Sequence, residues 1–316
     1  MVAVAQHPNI ELITYAEVTG VTGYIGNFNV SIKKKPKYVD WDLCTGCGTC
    51  IEKCPTKKIK DEFELGLGLR TSIHMVYPQA VPGKPFIDAA NCTKLTKDKC
   101  GVCEKVCPTK AIKFDDKEEF INKEVGAIVM ATGYDLFNWE EAYGEYGYGK
   151  YPDVISGLHF ERLVSAGGPT GGKIKRPSDG KEPKSVAFIK CVGSRDDTKG
   201  KSYCSRACCM YTAKHAYQVK DKIPDSEAYV FYMDVRTAGK NYEEFYQRAL
   251  NAGARYIRGR VSKIYPRGDR LVLKSEDSLL GRPVEVEADM VVLATAMVPA
   301  AGSDELARTV GFSMDK

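Results

Sequence analysis

The sequence lacks long apolar runs, and this absence excludes two classes of protein. No run approaches the roughly 20 apolar residues needed to cross a bilayer, so we expect no membrane span. The first fifteen residues, MVAVAQHPNIELITY, show no basic segment followed by a long apolar core. They therefore do not indicate a secretory signal, and we expect a cytoplasmic protein.

Histidine is also scarce, and the four present (His7, His74, His159 and His215) are scattered. None lies in a Ser–His–Asp or metal-binding pattern, which argues against hydrolytic or nucleophilic catalysis. His215 follows Lys214, a candidate site residue discussed below, and we expect His215 to pack on its helix. No basic helix or aromatic platform supports nucleic-acid binding. The lysine runs are interpreted either as solvated faces or as a surface for an acidic redox partner.

What the sequence does have is cysteine. The 316 residues are enough for two domains with separate cores, and they include twelve cysteines in three groups, at 44–54, 92–107 and 191–209. In a reducing compartment this number indicates metal or redox chemistry rather than a disulfide scaffold.

Hydrophobic periodicity divides the chain into segments. Residues 10–35 alternate like antiparallel strands, and VGAIVMATGY (125–134) is typical of a buried strand. Residues 138–184 are predicted to be a connector with one short helix. From residue 184 to 299, strands and helices alternate, which implies a parallel sheet in a dinucleotide-binding-like domain. The runs AIVMATGY and MVVLATAMVP are similar, which suggests two related sheets.

The first cysteine run, CTGCGTCIEKCP, has the C-x2-C-x2-C-x3-C-P spacing of bacterial ferredoxins. The second run, CTKLTKDKCGVCEKVCP, differs by a longer first gap. With the usual exchange of the last cysteine between runs, one 4Fe-4S cluster takes Cys44, Cys47, Cys50 and Cys107, and the other takes Cys54, Cys92, Cys100 and Cys103. Two zinc ribbons are the alternative, but zinc sites need neither the third cysteine nor the proline.

The third group has the spacing C-x12-C-x3-C-C, from Cys191 through Cys204 to Cys208 and Cys209. A disulfide, a buried apolar corner and a ligand set for a metal cluster all remain open from spacing alone. A helix N-terminus would favour anionic thiolates if these residues lie in its first turn. No G-x-G-x-x-G loop follows the strand that ends at Cys191, so the phosphate cradle is absent. Asp234, at the end of the second strand, is where an acidic residue often binds the ribose of NAD. Without the glycine loop it is interpreted as a remnant of such a site or as a local cap, and not as evidence for NAD binding.

These motifs, with CVGSRD, YCSRACCMYTAKHA, YGYGKYP and GGPTGGKIKRPSDGKEPKSVAFI, resemble the A-type iron–sulfur subunits of CoB–CoM heterodisulfide reductase over essentially the whole chain. The resemblance implies an α/β fold: a partial thioredoxin-reductase-like flavoprotein with two dinucleotide-binding domains and an inserted α+β ferredoxin domain. It also implies that a third 4Fe-4S cluster is held by Cys191, Cys204, Cys208 and Cys209.

Further site residues follow from the same resemblance. Lys214 matches a lysine near the reactive face of FAD, where a cation stabilises a reduced, anionic ring. A helix-surface lysine is the alternative. The strand ends that would flank FAD are Ala131, Thr132 and Gly133 in one half and Ala294 and Thr295 in the other.

The family's N-terminal FAD half-domain and its C-terminal part are expected to lie outside this chain. FAD is thus expected in the complete complex rather than in this chain alone. We expect five domains or segments: 1–36, antiparallel strands of an FAD domain; 37–115, ferredoxin domain; 116–183, returning FAD-domain strand and connector; 184–300, NAD(P)-domain-like fold with the third cluster; 301–316, tail.

Two functions follow. The first is an iron–sulfur electron-transfer subunit of a heterodisulfide-reductase-like oxidoreductase, passing electrons between flavin, ferredoxin and a disulfide or similar acceptor by flavin-based bifurcation. Its partners would be other subunits of the complex, ferredoxin, hydrogenase or formate dehydrogenase modules, and a polypeptide with the missing FAD half-domain. The second is a flavin-free, polyferredoxin-like relay. A zinc-bound interaction scaffold is a third interpretation, which a brown protein would exclude.

Overall fold

The computed structural model describes residues 2–138 and 142–314, and the chain divides into two units. Unit 1 comprises Met1–Gly133 and Ala300–Lys316, and unit 2 comprises Tyr134–Pro299. The second unit therefore begins well before the predicted boundary at residue 184. The predicted tail, 301–316, belongs to unit 1 and contains a helix, Ser303–Val310. None of the described helices has the length and apolar character needed to cross a membrane.

Unit 1 combines an antiparallel sheet with a compact cysteine-rich module. Its elements before the C-terminal helix are α1 Val2–Ala5, β1 Ala16–Tyr24, β2 Asn27–Lys34, α2 Thr49–Lys53, β3 Ile59–Lys60, β4 Leu69–Arg70, β5 Ile73–His74, β6 Phe86–Ile87, a 3-10 helix Ala89–Asn91, α3 Thr93–Lys97, α4 Val102–Val106 and β7 Glu119–Val125. β2 pairs with β1 on one side and β7 on the other, both antiparallel. The strands predicted for residues 10–35 are thus confirmed, and β7 completes their sheet.

The apolar run at 125–134 does not form the predicted buried strand. β7 ends at Val125, residues 126–133 adopt no regular structure, and Val129 is 88% exposed. A continuous apolar strand is stable when neighbouring strands pair with its edges and other layers cover its faces. Within the described residues no strand pairs with 126–133, so the pattern lacks the partners that it requires.

Unit 2 is built on a parallel sheet. Its elements are β8 Tyr134–Leu136, a 3-10 helix Gly144–Tyr146, β9 Val154–Ser156, α5 Gly157–Val164, β10 Ser185–Val192, α6 Cys208–Lys222, β11 Glu227–Tyr232, α7 Tyr242–Asn251, β12 Arg255–Arg258, β13 Val261–Arg267, β14 Arg270–Asp277, β15 Arg282–Ala288, β16 Met290–Thr295 and β17 Met297–Pro299. The five-stranded sheet has the order β12–β11–β10–β16–β9, and every pair is parallel. The predicted parallel sheet is therefore confirmed.

Two stretches of unit 2 each form more than one strand. ARYIRGRVSKI divides into β12 and β13, and VEVEADMVVLATAMVP divides into β15, β16 and β17. β13, β14 and β15 form a separate antiparallel sheet. Gly259 lies between β12 and β13. A side chain there would meet the backbone oxygen of Glu276 at 1.8 Å, so this close approach requires glycine. The connector also contributes β9, an edge strand that was not predicted and that brings the preceding residues into unit 2.

The core of unit 2 lies on both faces of the parallel sheet. Every residue of β10 and β16 is buried. Ala187 and Ile189 pack with Leu273 of the antiparallel sheet, whereas Phe188 meets Phe160 of α5 edge-on at 5.4 Å. The alternation of side chains along β10 therefore joins the antiparallel sheet on one face to helix α5 on the other.

Leu273 and Leu279 test this arrangement as a matched pair, since Leu273 is fully buried and Leu279 is 65% exposed. Leu273→Ala should lower the free energy of unfolding by about 2–5 kcal/mol, because it leaves a cavity between the sheets. Leu279→Ala should change it by less than about 0.5 kcal/mol. Urea unfolding measures both, and equal effects would contradict the described packing.

Candidate metal centres

The ferredoxin-like module in unit 1 is built from two matching halves. α2 and α4 are each five residues long and pack together, and each has a buried cysteine as its second residue, Cys50 and Cys103. Each helix is also followed at once by another cysteine, Cys54 or Cys107, before a proline. The sequence spacing thus places equivalent thiols on equivalent positions of two packed helices.

Four cysteines from the two halves line one small cavity of about 20 Å³. They are Cys44, Cys47 and Cys50 of the first run and Cys107 of the second. Val39, Ala111 and Ile112 contribute to its apolar wall. The last cysteine of the second run therefore faces the first run's three thiols, the arrangement that an exchanged ligand requires.

Polar hydrogens point at these sulfurs. The backbone N–H groups of Gly46 and Ala111 donate to the sulfurs of Cys44 and Cys107, at 3.4 and 3.3 Å. The Thr49 hydroxyl lies 3.5 Å from the Cys47 sulfur, and this contact lowers the pKa of Cys47. Burial alone would raise the pKa of Cys107, but hydrogen bonds from Ala111 and Thr109 lower it. These donors favour thiolates, the form that binds metal.

The second set is more deeply buried. Cys54, Cys92 and Cys103 belong to the core of the module, and Cys100 is half-buried. Burial raises the pKa of Cys103 to about 12, and the thiols of Cys92 and Cys100 add to that effect. The Cys54 sulfur is 3.3 Å from the hydroxyl of Ser72. Neutral thiols at these positions would need a cationic metal cluster to become ligands.

The third group lies in unit 2, where strand β10 and helix α6 meet. Cys191 sits near the end of β10, and Cys208 and Cys209 are the first two residues of α6. These three thiols pack together with Ala294. Cys204 precedes the helix, is half-buried, and accepts a hydrogen bond from the Arg206 N–H at 3.4 Å. The structure thus brings three of the four predicted ligands into one buried cluster, with Cys204 outside it.

Hydrogen bonding within this cluster separates the three thiols electrostatically. Cys208 keeps its single S–H, so its own pKa is raised, and hydrogen bonding to it lowers the pKa of Cys191 to about 7 and that of Cys209 to about 5. The free N–H groups of the first turn of α6 add a positive dipole end. Anionic sulfur is therefore favoured at Cys209, the second residue of α6. Among residues 2–138 and 142–314, no three His, Cys, Asp or Glu side chains are grouped to hold a single metal ion.

A cavity of about 200 Å³ also lies in unit 2. It is lined by Tyr134, Leu136, Gly157, Leu158, Glu161, Tyr211, His215, Thr295 and Met297. Glu161 is its carboxylate, and it accepts hydrogen bonds from Lys214 Nζ and His215 Nε2, both at 2.6 Å. Lys214 is therefore an ion-paired residue rather than an unpartnered surface lysine.

The pKa values of Glu161 and His215 are both lowered, but by different causes. The hydrogen bond from His215, together with Lys214, lowers the pKa of Glu161 to about 2. Burial lowers the pKa of His215, although Glu161 opposes this effect. Burial thus favours the neutral imidazole, whose Nε2–H donates to Glu161. Because the pKa of Glu161 is depressed, its stabilising contribution is complete above pH 4.5 and is lost as the pH falls toward 2.

The predicted flavin-flanking residues fall in separate units. Ala131, Thr132 and Gly133 lie in the exposed irregular segment of unit 1. In unit 2, Ala294 is 1% exposed and packs against the third cysteine group, whereas Thr295 lines the cavity. Their contacts with a flavin stay predictions. Asp234 forms an ion pair with Arg195 at 2.7 Å, consistent with a local structural role.

Two residues of these sites were missed by the sequence analysis. Glu161 has no local signal, because its partners are more than fifty residues away along the chain. Lys190, which lies beside Cys191 and Cys209, has one: it is a lysine within a strand whose other residues are apolar or small. A charged residue in a buried strand requires a partner.

Comparison with known proteins is consistent with this geometry. Residues 37–57 match the family model of the 4Fe-4S binding domain. The A-type subunit of the H(2):CoB-CoM heterodisulfide,ferredoxin reductase of Methanothermobacter thermautotrophicus is 50% identical over 315 residues, which are 99% of this chain and 47% of that protein. The A-type iron-sulfur subunit of the CoB--CoM heterodisulfide reductase of Methanocaldococcus jannaschii is 49% identical over 317 residues, with the same shares of 99% and 47%. The chain belongs to the family of heterodisulfide reductase A-type subunits.

The chain spans about half the length of the curated family members it matches. Among solved structures, thioredoxin reductase of T. acidophilum aligns with a TM-score of 0.38 and 14% identity, over 63% of this chain and 53% of that one. The α/β class with an inserted ferredoxin domain is confirmed by the described sheets and the 4Fe-4S domain match.

Double-mutant cycles should show which partner of Glu161, His215 or Lys214, has the larger coupling free energy with it. Coupling with His215, measured through Glu161→Gln and His215→Leu, should be about 1–3 kcal/mol because that donor is buried. Coupling with Lys214, measured through Lys214→Met, should stay below about 1 kcal/mol because both side chains are about 40% exposed. Urea unfolding at pH 7 supplies the values. A larger coupling energy for Lys214 than for His215 would contradict the ranking expected from the burial of His215.

Proposed function

We propose that this chain forms the iron–sulfur part of an oxidoreductase subunit that passes electrons between a flavin, ferredoxin and a disulfide or similar acceptor. The names of the two relatives described above, both subunits of heterodisulfide reductases, support this proposal. A finer proposal is flavin-based bifurcation, which divides an electron pair between a high-potential acceptor and a low-potential ferredoxin. Both extend to the whole protein, of which the chain spans about half.

The observation that carries the proposal is the cavity lined by Cys44, Cys47, Cys50 and Cys107. These residues would hold one 4Fe-4S cluster, and Cys54, Cys92, Cys100 and Cys103 would hold the second. Donors to the first set stabilise anionic sulfur, and deep burial of the second set excludes water. Two clusters in one small module suit one-electron relay over short distances.

A third 4Fe-4S cluster, held by Cys191, Cys204, Cys208 and Cys209, completes the proposal. Three of these thiols are already clustered at the N-terminus of α6. Cys204 lies four residues before Cys208, in the irregular segment ahead of the helix. Arg195 interacts electrostatically with both Cys191 and Cys204, which supports a position of the fourth thiol on the same side.

FAD, when bound in the complete complex, would supply the exchange between one- and two-electron chemistry. Lys214 is the proposed cation for it, and Glu161 holds that ammonium in place while leaving Lys214 40% exposed. Thr295 and Ala294, with Ala131, Thr132 and Gly133, are the proposed flanking residues. Other subunits, ferredoxin, hydrogenase or formate dehydrogenase modules, and a polypeptide with an FAD half-domain are the proposed partners.

A flavin-free relay is the second candidate. It is favoured by the segment 126–133, which would flank FAD but is irregular and exposed here. The absorption spectrum of the purified chain separates the candidates when it is recorded with and without the polypeptide proposed to supply the FAD half-domain. Flavin bound in stoichiometric amount in either sample, and lost in Lys214→Met, supports the first; no flavin in either sample supports the relay.

Iron and acid-labile sulfide, measured on anaerobically purified protein, test the three clusters. The unmodified chain should contain about twelve irons and Cys208→Ser with Cys209→Ser about eight, since each cubane holds four. Met210→Leu, which changes the next residue of the same helix, should retain about twelve. About eight irons in all three proteins would remove the third cluster from the proposal and leave a two-cluster relay.

A further inference from the structure

Lys190 is a buried cation next to the third cysteine group. Its side chain leaves strand β10, the residue is 6% exposed, and its Nζ donates to the backbone oxygen of Asp234 at 2.8 Å. The ammonium also lies 5.6 Å from the ring centroid of Tyr232. Both partners are neutral groups. Among the described residues, no carboxylate forms an ion pair with Lys190, since the nearby Asp234 carboxylate is paired with Arg195.

An uncompensated ammonium in a protein interior is costly, so it requires an anion. Sulfur supplies one here. The N–H of Arg236 donates to the Cys209 sulfur at 3.4 Å, two residues after the Asp234 oxygen that Lys190 binds. Cys209 also packs with Met233 and Val235, on either side of Asp234. The Lys190 ammonium is therefore held beside this corner, and its charge lowers the pKa values of both Cys209 and Cys191.

The backbone of β10 explains how Lys190 and Cys191 both come to face this corner. Between the pairs Ile189–Leu293 and Val192–Thr295, β10 advances three residues while β16 advances two. One extra residue is therefore inserted, and Cys191 adopts a left-handed conformation with φ of 60°. Such a bulge redirects side chains that would otherwise alternate between the two faces.

We propose that Lys190 is a positioning residue that holds Cys209 and raises the reduction potential of the third cluster. This inference rests on the proposed function, because it takes the four-cysteine ligand set as given. Reduction by one electron adds negative charge at the cluster, and a nearby buried cation stabilises the reduced form more than the oxidised form. Charge and hydrogen bonds to sulfur are recognised determinants of cluster potential.

A redox titration followed by electron paramagnetic resonance tests the proposal on the whole, anaerobically purified chain. The third cluster is identified as the signal lost in Cys208→Ser with Cys209→Ser. Lys190→Met and Lys190→Gln should lower its reduction equilibrium constant at least tenfold, which is about 59 mV for one electron. Lys190→Arg should retain most of the potential. The ferredoxin-type clusters should not shift in any variant.

Lys184→Met is the matched control. It removes the same charge from the residue immediately before the same strand, six residues earlier and about 20 Å away at the usual rise, and should leave the potential unchanged. If Lys190→Arg shifts the potential as much as Lys190→Met, or if no variant shifts it, the proposal is wrong. Loss of about four irons in the uncharged variants, with retention in Lys190→Arg, supports it. An unmodified chain with about eight irons instead overturns the third cluster itself, and this inference with it.

Discussion

The constraint on which this structure depends is the stabilisation of anionic sulfur inside a protein. Thiolates are poorly tolerated away from water unless polar hydrogens or cations meet them. The three cysteine groups differ in the polar hydrogens and cations that surround their sulfurs. Backbone N–H groups serve Cys44 and Cys107, the deeply buried second set has few such donors, and the third group combines a helix start with Lys190. The surrounding backbone, with its short helices and bulged strand, follows from these needs.

Local patterns in the sequence predict much of this molecule. The ferredoxin spacing puts Cys50 and Cys103 at equivalent positions of two short helices, because it depends on a few neighbouring residues. Parallel strands such as β10 and β16 are predictable because both of their faces are buried. The same apolar signal fails at 125–134, where no described strand is available to pair with it. An apolar run indicates a preference for burial, but it does not specify the partner strand that burial requires.

Contacts between distant residues account for what the sequence could not predict. Glu161 reaches Lys214 and His215 only because α5 and α6 pack side by side on the sheet. Lys190 would be assigned to the face opposite Cys191 by simple alternation, and the extra residue in β10 changes that assignment. Both cases show a charged group whose role depends on tertiary packing rather than on its neighbours in sequence.

The pairing of α2 with α4 has a consequence for how the module can change. Cys107 follows α4, the helix that carries Cys103, yet it lines the cavity of the first run's cysteines. Neither half therefore contains a complete set of four thiols for one site. Deletion of the half that carries Cys107 would leave the first run's cavity short of a thiol, so the two halves are expected to be inherited together.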